Sequence, residues 1–236
     1  MKFAGFTLVL AAVALVMLAA AGPAYRMGVS LPAAFTVLRW GAYAGLAAAV
    51  LGAMATLYFT RAGRRLAAIV AVAATLAGLI AFALPYSWQR RAQRVPAIHD
   101  ISTDLENPPA FDAVVPLRAD APNTLERPAD LADLQRSGYP DLAPITLSQP
   151  PERVFDRALS VAQESGWEIV TADRSSGRIE ATDTTPWFGF KDDVVVRLTP
   201  WGSGTRVDVR SVSRVGRSDV GTNAARIEEY LERVGS

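Results

Sequence analysis

The sequence predicts an α+β protein: three N-terminal transmembrane helices followed by a two-layer domain of four antiparallel strands with two helices on one face. Two observations predict the first part. Residues 1–99 contain no Asp or Glu, and they hold three apolar runs at residues 3–21, 40–59 and 66–84. A third observation predicts the second part: from Pro150 onward the apolar periodicity reads helix, four strands, helix.

At 1.5 Å per residue each run covers roughly 28 to 30 Å, matching a hydrocarbon core of about 30 Å. An amphipathic helix of a soluble core would place a charge every third or fourth position, and these runs place none. Trp40, Tyr58, Phe59, Tyr86 and Trp88 stand near the ends of the runs, where interfacial anchors lie. The first run has a competing reading as a signal peptide, because Lys2 gives a minimal basic start and Ala19, Ala20 and Ala21 form a small-residue cleavage site. Its apolar stretch is long for that role. In the second run Gly41 and Gly45 form a small-residue pair, continued by Ala49, Gly52 and Ala53. Such a stripe allows close approach of a second chain, but packing against the first or third run of the same chain is favoured.

Orientation follows from basic residues. Arg61, Arg64 and Arg65 crowd the connection between the second and third runs and place it in the cytoplasm, which puts the C-terminal domain outside. Arg90, Arg91 and Arg94 argue the other way, so loop charge alone nearly balances.

Composition divides the chain into a membrane region at 1–94, a proline-rich tether at 95–149 partly docked on the domain, and the C-terminal domain itself at 150–236. Residues 1–94 hold nine basic and no acidic side chains, residues 95–150 three and nine, and residues 151–236 twelve and fourteen. Basic residues confined to membrane flanks are topological features, and nucleic acid is not an expected partner. Cysteine is absent, which removes disulfides, thiolate nucleophiles and cysteine metal sites.

Between Pro85 and Pro151 lie eleven of the fifteen prolines, which forbids long helices and central strands there. Residues 98–104 alternate and can pair as an edge strand; residues 127–136 can form one short helix with Leu131 and Leu134 as contacts; residues 139–142 offer a second docking point. In the domain, Pro150 or Pro151 opens a helix carrying Val154, Phe155, Ala158, Leu159 and Ala162 and ending at Gly166. Strands are predicted at 167–173, 178–184, 192–199 and 205–213. A last helix starts near Ser218 or Asp219, with Val220, Ala224, Ile227, Leu231 and Val234 on its apolar stripe.

Alternation along the strands turns Ile179, Ala181, Val194, Val196, Leu198, Val207 and Val209 toward the helices. It leaves a charged face of Glu180, Thr182, Asp193, Arg197, Arg206, Asp208 and Arg210, for which a solvated salt-bridge ladder is the plain explanation. The candidate ligand-binding set is Arg210, Ser213, Arg214, Arg217, Ser218, Asn223 and Arg226, where arginines, hydroxyls and a helix N-terminus converge. Open helix amides attract anions, and Arg214 with Arg217 can clamp a phosphate or carboxylate. Against this, Ser218 or Asp219 can cap the helix while the arginines pair with Glu180, Asp193 and Asp208, and Asp219 supplies negative charge where an anion would sit. Gly216 and Gly221 suggest a phosphate loop, but no Lys follows the second glycine. Trp187 and Phe188, after Pro186, form an aromatic loop able to dip into lipid, grip a ligand or pack over the sheet edge.

Residues 179–185, 187–194 and 208–219, with Asn223 and Arg226, resemble the family named domain of unknown function 1499. The resemblance extends over residues 98–234 and leaves the three apolar runs as an attachment. It implies a domain outside the cytoplasmic membrane, which tips the orientation toward the periplasm, and it implies no particular chemistry. The expected protein is therefore an integral protein of the cytoplasmic (inner) membrane, presenting a non-catalytic envelope-facing domain that binds an anionic ligand or a protein partner. The alternative is a membrane-anchored hydrolase using Glu180, Asp183, Asp192, Asp193 and Asp208, alone or with a divalent cation. No cofactor and no metal site are expected, and His99 is the only imidazole.

Overall fold

The computed structural model describes residues 1–236, which group into two compact units. One comprises Met1–Arg91 with Pro186–Gly189, the other Ala92–Thr185 with Phe190–Ser236.

The first unit is built on α1 (Lys2–Arg26), α2 (Leu31–Arg61) and α3 (Arg65–Ala92), all long and apolar enough to cross a membrane. Each outruns its apolar stretch because arginines at its end continue the helix while keeping their heads polar. Small side chains make the inside. Ala4, Thr7, Ala11, Ala14, Leu18 and Ala21 form the buried stripe of α1, and Ala67, Ala71, Ala74, Gly78 and Ala81 that of α3. Val9, Val16, Met54 and Ile69 point outward and are exposed, which is the arrangement that apolar solvent, not water, rewards. A Cβ at Gly41 would lie 2.7 Å from Leu18 Cδ1, and one at Gly45 would lie 2.7 Å from the Ala81 Cβ. The glycine pair thus brings α2 against both neighbours of its own chain.

The second unit is a two-layer domain, but its antiparallel sheet has six strands where four were predicted. The four are β3 (Glu168–Asp173), β4 (Arg178–Thr184), β5 (Lys191–Trp201) and β6 (Gly204–Ser213). The additional two, β1 (Asp100–Ser102) and β2 (Ile145–Leu147), come from the proline-rich segment, and β1 is the edge strand its alternation suggested. The order is β1-β6-β5-β4-β3, with β2 pairing the other half of β6. β1 pairs Ser102 with Arg210, while β2 pairs Leu147 with Thr205, so two three-residue strands share one edge. Pro144 and Pro150 bracket β2 and keep it short.

The two helices expected on the sheet, α5 (Pro151–Glu164) and α6 (Thr222–Gly235), are joined in this unit by α4 (Leu131–Gly138), which overlaps the short helix expected at 127–136. The core lies between α5, α6 and the sheet; all seven strand residues predicted to face inward are in it, joined by Val154, Phe155, Ile227 and Leu231. Trp167 stacks on Tyr230 at 4.8 Å, and the Tyr230 hydroxyl donates to the Ala158 carbonyl at 2.8 Å. α6 begins later than predicted because Val220 (φ 56°) and Gly221 (φ 80°) turn left-handed before it.

Edge strand β1 is closed without another strand. The buried Gln135 amide on α4 accepts from the Ser102 N–H at 3.0 Å and donates to the Ser102 carbonyl at 2.6 Å, standing in for a neighbouring peptide. Gln135→Leu should strand both groups and cost about 1–3 kcal/mol. Urea unfolding of the full-length protein in detergent, followed by the fluorescence of Trp167 and Trp201, should show the midpoint fall with little change in slope.

Candidate functional site

The charged face of the sheet is not solvated. Residues 104–127 lie over it, and its side chains turn to that segment for partners. Glu180, fully buried, accepts from the backbone N–H groups of Asp112 (2.9 Å) and Val114 (3.0 Å) and from Arg178 (3.2 Å). Asp193, also fully buried, binds Arg118, both prongs of Arg214 (2.8 and 2.9 Å) and the Thr182 hydroxyl (2.7 Å). Burial alone would raise the Asp193 pKa, but the hydrogen bonds from Arg214, Thr182 and Arg118 outweigh it and hold the carboxyl below its ordinary value. Arg210 forks onto Asp100 (2.8 and 3.0 Å) and sits 5.3 Å from the Phe111 ring, with Arg127 completing the Asp100 pair at 2.6 Å. Arg197 and Arg206 share Asp104 and Asp208 at 2.9–3.1 Å.

A second network faces the helices. Asp183 and Asp192 are cross-strand partners, a like-charge pairing that needs a cation between them. Arg226 of α6 supplies it, reaching Asp192 at 2.6 Å and Asp183 at 2.7 Å. Asn223 holds the same guanidinium and donates to the Ser213 hydroxyl and to the His99 carbonyl, both at 3.0 Å; its own oxygen accepts from Ser211 at 2.7 Å.

The seven residues of the candidate ligand set are therefore divided. Arg210 and Arg214 lie on the covered face, Ser213, Asn223 and Arg226 on the helix face, and Arg217 is exposed on the loop between. Ser218 accepts from the Val220 N–H at 3.1 Å. The amides at the start of α6 already have an anion: Asp219 accepts from Gly221 at 3.0 Å and Asn223 at 2.7 Å. Burial raises the Asp219 pKa above its ordinary value despite those amides. Trp187 and Phe188 belong to the first unit. Pro23 has no N–H for the Ala19 carbonyl one turn back, and the Trp187 indole donates to that oxygen at 3.3 Å; Phe188 packs on the Phe35 and Tyr25 rings at 5.5 and 6.0 Å.

A concavity is open on the second unit. A cavity of about 390 Å³ lies between β2 and α6, lined by buried or half-buried Leu142, Ile145, Leu147 and Leu231 and by the exposed carboxylates of Asp141, Glu228 and Glu232. None of these three carboxylates is in a salt bridge. No group of three or more His, Asp or Glu side chains is arranged to hold a metal ion.

The family described as a protein of unknown function, DUF1499, matches residues 100–234, more than half of the chain. The chain belongs to this family. The DUF1499 match starts at Asp100, the carboxylate that clamps Arg210, so the covering segment and the sheet fall within one matched unit. No curated protein matches the chain.

Sequence reasoning expected the proline-rich tether to dock on the domain but did not pair it with the charged face. Asp100, Asp104, Arg118 and Arg127 were part of an acidic, proline-rich stretch whose own charge excess was the available signal. The lining of the β2–α6 groove was signalled only by the docking point at 139–142.

Asp193→Asn should leave Arg118 and Arg214 buried without a counter-charge and cost roughly 3–5 kcal/mol, measured as the denaturant midpoint of the full-length protein. A carboxyl whose folded pKa is depressed stabilises the fold above its unfolded pKa of about 3.9, and that contribution is lost as pH falls through the folded value. The thermal midpoint should drop on acidification below about pH 4, with a smaller drop in Asp193→Asn. Asp219 acts oppositely, since a raised carboxyl favours the fold when protonated, so Asp219→Asn should steepen the acid loss.

Proposed function

We infer that this chain is a membrane-anchored, non-catalytic interaction protein of the cytoplasmic membrane, whose C-terminal domain faces the periplasm and engages a protein partner. One observation carries the reading. The arginines and carboxylates able to hold an anion or move a proton on the sheet are bonded to one another, those of the outer face beneath residues 104–127 and Arg226 with Asp192 on the helix face, whereas the β2–α6 groove is open and its carboxylates are unpaired. An anion at Arg214 would have to take the place of Asp193, leaving a buried carboxylate without its strongest partner. The hydrolase alternative meets the same obstacle at Asp192, Asp193 and Asp208, each of which carries an arginine. Arg61, Arg64 and Arg65 at the α2–α3 turn, with three crossings before the domain, favour the periplasmic placement and Arg90, Arg91 and Arg94 oppose it; the family resemblance tips the balance toward the periplasm.

Two experiments test this. Reporters fused after Arg65 and after Ser236 should read cytoplasmic and periplasmic respectively; the reverse pattern ends the placement. Photo-crosslinking residues introduced singly at exposed Ala143, Thr146, Glu168, Trp201, Arg217 and Glu229 of the full-length protein in cells should give discrete protein adducts from a contiguous subset. Adducts from no position, together with a thermal midpoint that rises with inorganic phosphate and ceases to do so in Arg217→Ala, would replace the partner reading with the anion reading.

A further inference from the structure

We propose that the β2–α6 groove is a strand-addition site for an extended segment carrying aliphatic anchors flanked by Lys or Arg. The inference rests on the partner reading above and names the chemistry that partner presents.

Three features of the groove specify the occupant. β2 pairs with β6 alone, so its outer backbone N–H and C=O groups face no strand and can receive an extended chain. Ile145 and Leu147 pair with Val207 and Thr205, and Val207 is in the core, so both side chains lie on the helix face. There they join Leu142 and Leu231 to line a volume of about 390 Å³, within the range of roughly 300–1,000 Å³ for pockets that hold a ligand. Apolar anchors of an added strand would enter this volume at every second residue. The charge is one-sided: Glu228 and Glu232 stand one turn apart on α6, Asp141 adds a third carboxylate, and none has a cation of its own. The carboxylates of β4, β5 and β6, by contrast, are matched by arginines. A basic segment supplies what the groove lacks, and an acidic one is repelled.

The probe is a fluorescein-labelled heptapeptide, Lys-Thr-Val-Thr-Val-Thr-Lys, whose lysines and valines share one face when extended. It is titrated by anisotropy against full-length protein in phosphatidylcholine nanodiscs, a zwitterionic surface that does not attract the lysines. The peptide should bind saturably, and its Glu-Thr-Val-Thr-Val-Thr-Glu counterpart at least tenfold more weakly. Glu228→Gln with Glu232→Gln should weaken the lysine peptide about fivefold, and Ala143→Trp, an exposed position in the lining, should abolish binding by filling the groove. Both variants should keep the wild-type thermal midpoint. N-methylation of amides on one edge of the peptide should abolish binding while methylation on the other edge leaves it intact. Equal affinity for the two peptides, indifference to both variants, or no saturable binding overturns the proposal. If crosslinked adducts then map to positions other than Ala143, Thr146 and Glu229, the groove fails while the partner reading stands; if there are none at all, both fail.

Discussion

A carboxylate with no exposed surface persists only where cations and donors replace all of its water, and Asp193 meets that condition with Arg118, Arg214 and Thr182. Much of the second unit follows from this requirement. Arg118 comes from a short 3-10 helix (Val115–Arg118) in the covering segment and Arg214 directly follows β6, so satisfying one buried charge closes the segment onto the sheet. The reverse dependence is equally strong. A loop laid on a sheet turns some backbone groups inward with no ladder to join, and each must find a partner. Here the sheet's side chains provide them: the carbonyls of Pro109, Ala110, Leu117 and Leu125 accept from Arg210, Arg178, Arg214 and Arg210 respectively, and the N–H groups of Asp112 and Val114 reach Glu180. Proline suits this role because it contributes an acceptor and no donor, matching a surface rich in guanidinium.

Ion pairs of this kind are weak grounds for stability, since desolvating both charges offsets most of their attraction. What they determine is registry. Each guanidinium fork fits one carboxylate orientation, so Arg210 on Asp100 fixes β1 along β6, and Arg118 on Asp193 holds the covering segment over β5, whereas an apolar cover would tolerate sliding. The same logic holds on the helix face, where Arg226 bridges Asp183 and Asp192 and thereby fixes α6 against strands β4 and β5.

The parts of the fold legible in the sequence are those with a period. Three unbroken apolar runs gave the membrane helices, and period-two alternation gave β3 to β6 with their inward residues. β1 was legible as an edge because residues 98–104 alternate, but β2 was not, since Ile145–Leu147 is too short to show a period between Pro144 and Pro150. Gln135 had no signal at all: a glutamine on a short helix reads as solvated, and only the tertiary position of Ser102 makes it part of the sheet edge. The start of α6 was misplaced because Val220 continues the apolar spacing while its backbone is left-handed. For the site, alternation placed Glu180, Asp193, Arg197, Arg206 and Asp208 on one face, and their partners within the acidic stretch were hidden because long-range pairing leaves no mark on local pattern.

Where binding can occur is then a question of what each surface must give up. At the covered face a ligand has to displace a partner from a buried ion, and the group left behind bears the full penalty of an unmatched charge. At Arg217 the guanidinium is exposed, and a single solvated arginine competes with water for a phosphate on nearly equal terms. At the β2–α6 groove no ion partner has to be displaced: Ile145 and Leu147 are half-exposed, backbone groups at an open strand edge would exchange water for a peptide, and three carboxylates without cations would gain one. The fold has directed its strongest electrostatic groups inward, and recognition at the groove proposed above would therefore work by shape, main-chain pairing and complementary charge.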